Sequence, residues 1–240
     1  MTIAYFDCFS GICGDMILGA LFDLGLDEEC FKNEIQKLEV TGYTIEVKQV
    51  EKNHISAKDV IISIDEKHQP YRSFTHIKNM IQNSSLDKNV KNTSIEIFLR
   101  LAKAEGKIHN KNVEDVHFHE VGAVDSIIDI VGAVIGIQKL GFKQIYCSPL
   151  PLGKGFVHCA HGMIPIPAPA TIELIKDVPV YQTDRSQELV TPTGAAIITS
   201  IAKQFCDIPQ MNIKKIGYGS GKTKSIYPSL LRVYLGELKQ

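Results

Sequence analysis

Apolar positions along the chain change period several times, and the changes mark out alternating strands and helices. Ile3 to Phe6 is a short apolar run that reads as a buried strand. Met16, Ile17, Ala20, Leu21 and Leu24 recur at helical spacing, so a helix is predicted to open near Asp15 and stop at Gly25. Leu26 to Leu38 reads as a second helix with a polar face. Tyr43 to Val50 alternates and Ile55 to Ile64 is β-rich, which predicts an antiparallel pair turning near Lys52, Asn53 and His54. Helices are expected over Ser73–Gln82 and Ser94–Lys107, with Asn83 to Asn92 as a polar link. From Asp125 to about Gly141 the positions Ile127, Ile128, Ile130, Val131, Val134 and Ile135 leave a helix apolar on nearly all sides, the pattern of a buried helix. Gln144 to Cys147 is a short strand, and Pro149 to Pro169 is rich in proline and glycine, so it reads as a loop and as the best hinge. Pro167 or Pro169 can start a helix over Ala170–Ile175. Thr191 can cap a helix with Pro192 at its first position, continuing from Ala195 to Phe205. Strands over Asn212–Ile216 and Leu230–Leu235 would then flank a glycine-rich turn, 217–223. The sum is an α/β chain with a mixed sheet and a buried central helix; an α+β arrangement is the alternative.

Composition narrows the setting. The 240 residues suffice for one large domain or two small ones, and the formal net charge of −1 argues against non-specific nucleic-acid binding. The longest apolar run, Val121 to Ile137, contains Asp125 and Asp129. Each aspartate costs roughly 2.5–3.5 kcal/mol at a membrane centre, so this run is expected in a protein core and not in a bilayer. Six cysteines without a CxxC suit reduced thiols in a cytoplasmic protein.

Chemistry concentrates in one stretch. His117, His119, Glu120, Asp125 and Asp129 fall within thirteen residues. The histidines alternate, so an extended backbone points both to one side, and Asp125 and Asp129 share a helix face. Imidazole with carboxylate suits zinc, nickel or iron. The simpler account is a helix start at which Glu120 and Asp125 answer the dipole. His158, Cys159 and His161 offer further ligands in the proline-rich loop. Ser10, Gly11, Cys13, Gly14 and Asp15 form a loop after a strand that opens a helix, a weak anion-site signal. Asp7 and Asp15 flank it, as for a bridging Mg²⁺, although Asp15 is also a plausible helix cap. Thr193 and Gly194, just inside the Thr191 cap, give a second candidate anion site, about as well read as an ordinary capped helix. Gly217 to Thr223 fails the Walker A spacing, because the first required glycine falls at Ile216.

Four stretches together resemble the nickel-pincer-cofactor insertion proteins (LarC-type). They are Phe6 to Met16, Val116 to Ile130, Ser148–Gly153 with Pro165–Thr171, and Glu188 to Ala196. The resemblance runs through almost the whole chain, in order. It implies nickel insertion into pyridinium-3,5-bisthiocarboxylic acid mononucleotide, forming the pincer cofactor of lactate racemase and related enzymes. It further implies a CTP-dependent reaction with Mg²⁺ or Mn²⁺, formation of carbon–nickel and sulfur–nickel bonds, and a base for the pyridinium ring proton. Chemistry laid on these motifs assigns nickel to His117, His119, Glu120 and His161. Asp125 and Glu120 become the acid–base candidates, and Ser10, Gly11, Gly14, Asp15, Thr193 and Gly194 the mononucleotide contacts. Cys13 departs from the family pattern, which carries serine there.

Members of that family are usually longer, with a C-terminal domain that handles CTP. The chain is therefore expected to be the N-terminal domain, 1–240, working with that domain in trans, and a homo-oligomer is expected. Two other classes compete: a nickel-binding chaperone without chemistry, and a metal-dependent phosphohydrolase using Asp7 and Asp15.

Overall fold

The structure, a computed structural model, describes residues 2–65, 72–116, 118, 124–159, 162–223 and 226–239. Its centre is β1 (Thr2–Asp7), whose residues alternate between two buried environments. Ala4 and Phe6 join the main core, while Ile3 and Tyr5 join a smaller cluster with Tyr146 on the other face. β1 feeds the loop that opens α1 (Gly14–Asp23), which is followed by α2 (Glu28–Gln36). The hairpin β2 (Tyr43–Lys52) and β3 (Ile55–Ile64) pairs as the alternation predicts, from Tyr43 opposite Ile64 to Lys52 opposite Ile55. Its two-residue turn, Asn53 and His54, has φ of 49° and 62°, the twist a tight hairpin requires.

Next come α3 (Phe74–Asn83) and α4 (Lys88–His109). The polar stretch before Ser94 is already helical. Asp87 caps α4 by accepting from the Asn89 amide at 2.8 Å, and Val90 supplies a buried position that the polar neighbours conceal. α5 (Val124–Lys139) is the buried central helix, with eleven buried residues from Val124 to Gly136. It packs between α1, α2 and α4.

After β4 (Gln144–Cys147) the proline-rich segment holds more regular structure than its composition suggests. It contains β5 (Leu150–Leu152), β6 (Phe156–Cys159) and β7 (Gly162–Pro165), the last two forming an antiparallel hairpin. α6 (Pro169–Leu174) and β8 (Val180–Gln182) follow, β8 pairing in parallel with β5. α7 (Pro192–Ile201) starts at the Thr191 cap but ends before Phe205. Gln204–Phe205 forms β9, a short parallel partner of β4. β10 (Met211–Ser220) and β11 (Leu230–Leu238) pair antiparallel.

Among the described residues the main sheet has seven strands in the order β2-β3-β10-β11-β1-β4-β9. It mixes parallel and antiparallel pairs, as α/β patterning predicted. The expected glycine turn is corrected here: Gly217 and Gly219 lie inside β10. A side chain on Gly219 would collide with the Met16 carbonyl, and one on Gly217 with the Ala20 carbonyl. Their bareness lets α1 lie directly on the strand. No described helix is long and apolar enough to cross a membrane.

Candidate functional site

The carboxyl ends of β1 and β4 lie side by side, because the strands are parallel neighbours with Phe6 opposite Cys147. Crevices at such strand ends are where open α/β sheets receive ligands. Here the β1–α1 loop is pinned from several sides. Ile12 bridges Val190, its amide bonding the Leu189 carbonyl at 2.8 Å while its own carbonyl accepts from Thr191 N at 3.2 Å. This brings the start of α7 against the start of α1.

The glycines of these motifs are used for packing. Gly11, at φ 103°, has no room for a side chain beside the Leu189 carbonyl. Gly194 is equally confined by Ile12 and Cys13 backbone, and Gly14 by the carboxyl of Asp129. Chain-on-chain contact thus already requires glycine at three of the expected mononucleotide contacts. Thr193 is buried, and Thr191 accepts from the Gly194 amide at 3.1 Å, closing the α7 cap.

Around Gly14 the structure gathers carboxyls. Asp15 Oδ1 accepts from the Cys13 thiol at 2.7 Å and from the Met16 amide at 2.8 Å. Asp15 Oδ2 lies 3.9 Å from Lys222 Nζ, whose main partners are Asp59 and the Val60 carbonyl. Asp129, one turn after Asp125 on α5, has its Oδ1 fully buried and without a hydrogen-bond partner. Burial raises the pKa of Asp129 well above the ordinary carboxylate range, and the charges of Asp15 and Asp125 push it further up. Burial also raises Asp15, against the opposing pull of Cys13 and Lys222. Burial first, then the Asp15 charge, holds Cys13 as a neutral thiol. The like charges of Asp15, Asp125 and Asp129 thus favour the protonated form of Asp129. Asp125, half-buried in the first turn of α5, accepts from the Ser126 amide at 2.7 Å.

The expected nickel ligands His117, His119, Glu120 and His161 lie outside the described residues. Among the described residues no group of three or more His, Cys, Asp or Glu side chains is placed to hold a metal ion. Asp7 and Asp15 have separate partners: Asp7 is bound by Arg232, at 3.0 Å to Nε and 2.5 Å to Nη2.

Beside Asp15 a small cleft, with about 50 Å³ of enclosed space, is lined by Ser10, Cys13, Arg185, Glu188, Lys222 and Tyr227 among others. Sequence reasoning missed Asp129 as a site residue, although its spacing from Asp125 was in view. It also missed Arg185, which sits in no motif, and Lys222, set aside with the failed P-loop. Only their position in the fold brings them to Ser10 and Asp15.

The profile of the family described as nickel insertion protein matches residues 4–240. A putative nickel insertion protein of Dictyoglomus thermophilum is 51% identical over 238 residues, 99% of this chain and 61% of that protein. The pyridinium-3,5-bisthiocarboxylic acid mononucleotide nickel insertion protein of Desulfitobacterium hafniense is 47% identical over 238 residues, 99% and 59% of the two chains. Its counterpart in Acetivibrio thermocellus is 45% identical over 250 residues, 100% and 61%. The chain thus spans about 60% of the length of the curated relatives it matches. No solved structure matches it.

Proposed function

Since the chain belongs to the nickel insertion protein family, we propose that it serves the insertion of nickel into pyridinium-3,5-bisthiocarboxylic acid mononucleotide. The observation that carries this reading is identity of 45–47% along essentially the whole chain with relatives named for that activity. Nickel is a substrate here. His117, His119, Glu120 and His161 are its proposed protein ligands. Insertion replaces a ring C–H by a C–Ni bond, so one proton must leave for each nickel that enters. Asp125 and Glu120 are the proposed acceptors. Asp129 supports that role, because it lies one turn from Asp125 on α5 and its raised pKa lets it keep a proton that a solvated carboxylate would release. The Ser10–Asp15 loop and Thr193–Gly194 form the proposed floor under the mononucleotide. CTP with a divalent cation completes the proposed reaction.

The test is nickel insertion by the purified chain, alone and with the C-terminal part of a longer relative added, followed by the absorbance of the product, with and without CTP and Mg²⁺. Nickel bound at stoichiometry with no product under any condition favours a chaperone. Absence of both nickel binding and product sinks the proposal.

A further inference from the structure

The cleft beside Asp15 has a cationic wall that the sequence motifs do not contain. Arg185 Nη1 donates to Ser10 Oγ at 2.7 Å, and the guanidinium lies 4.3 Å from the centre of the Tyr227 ring. Ser10 Oγ in turn donates to the Pro228 carbonyl at 2.6 Å. A hydroxyl and an aromatic face thus fix the plane of a group whose fork geometry matches two oxygens of one oxyanion. Among the described hydrogen bonds the side chain spends one of its five N–H donors on the protein. Lys222 stands on the same cleft, anchored to Asp59 and the Val60 carbonyl. Thr191, Thr223 and Ser229 add hydroxyls to the lining, and Glu188 a carboxylate.

We infer that this cleft is a phosphomonoester site in which Arg185 is the principal contact, Ser10 positions it, and Lys222 is the second cation. Asp59 and Asp15 already answer the charge of Lys222, so an incoming phosphate dianion would draw chiefly on Arg185, with Lys222 as a second donor. Cys13 lines the cleft and also bonds Asp15, so a phosphate held by Arg185 would leave the rest of a mononucleotide close to the acidic pair. That the phosphate belongs to the pyridinium mononucleotide rests on the reading above; the site's preference for a phosphomonoester does not.

The test uses the full chain with two probes, nicotinate mononucleotide and the corresponding riboside without phosphate, while nickel binding is titrated separately. The intact chain should prefer the mononucleotide. Arg185→Ala should weaken it about 10- to 100-fold, the range for losing a charged hydrogen-bond partner, without changing riboside or nickel affinity. Arg185→Lys should recover only part of the loss, since the fork is gone. If the alanine variant does not fold, the lysine variant carries the test. Equal affinity for the two probes, or an Arg185 variant that binds as the parent does, overturns the phosphate site whatever nickel does. Phosphate selectivity without any nickel binding overturns the insertion reading and leaves the site standing.

Discussion

The carboxyl group of Asp129 occupies the space in which a side chain on Gly14 would stand. The first residue of α1 is therefore bare so that an acid from α5 can reach the helix start. Gly14→Ala should force Asp129 or the α1–α5 packing to shift, at the cost typical of overpacking, about 1–3 kcal/mol. Combining it with Asp129→Ala should recover much of that loss. A urea-unfolding double-mutant cycle reads the coupling. Additive losses would show that the two residues do not share the space.

Asp129 itself should weaken the fold at neutral pH. Its folded-state pKa lies above its unfolded value, through burial and the neighbouring Asp15 and Asp125 charges. At low pH both states hold the proton and there is no penalty. As pH rises past about 4 the unfolded chain releases its proton first, so stability falls until the folded pKa is passed. Asp129→Asn cannot ionise and should melt higher than the parent at pH 7, with the gap closing towards pH 4. Thermal melts across that range check it. A variant that melts lower than the parent at pH 7 would mean that Asp129 is held by a cation in the folded protein.

What the sequence discloses divides along physical lines. The β2–β3 hairpin and the buried α5 were legible because each is fixed by a local period and a local turn. The start of α4 was not, since Asp87 caps it inside a polar run that also reads as a link. Gly217 and Gly219 misled for the opposite reason. Glycine signals a turn locally, but here it answers the approach of α1 from two hundred residues earlier. The same distance hides the site: Arg185 meets Ser10 across 175 positions. No spacing rule reaches that far, whereas Asp125 and Asp129, four apart on one helix, were in view from the start.

Asp7 should prove structural. Its carboxylate is tied to Arg232, whose guanidinium also lies over the rings of Phe9 and Tyr234. A carboxylate so committed is a poor cation ligand. Asp7→Asn should lower the melting temperature while leaving nickel affinity unchanged, as calorimetry and thermal melts would report. Phosphate release that depends on Asp7 and Mg²⁺ would instead restore the phosphohydrolase alternative.

The sharpest test of the nickel assignment is His119→Ala. The alternation of His117 and His119 beside Glu120 motivates it, and the packing of α5 from Val124 onward makes it safe for the fold, because the buried stripe is untouched. Removing one imidazole from a proposed set of His117, His119, Glu120 and His161 should weaken nickel binding strongly with an unchanged unfolding profile. Affinity in the parent should also fall below about pH 6.5, where free imidazole takes up a proton that competes with the metal. Both effects have one origin, so the pH dependence of the His119→Ala variant should be shallower than that of the parent. Calorimetry at pH 5.5 and 7.5 on both proteins measures this directly. Unchanged nickel affinity in the variant would remove His119 from the ligand set. A pH profile that does not change between the two proteins would assign the lost proton competition to another group.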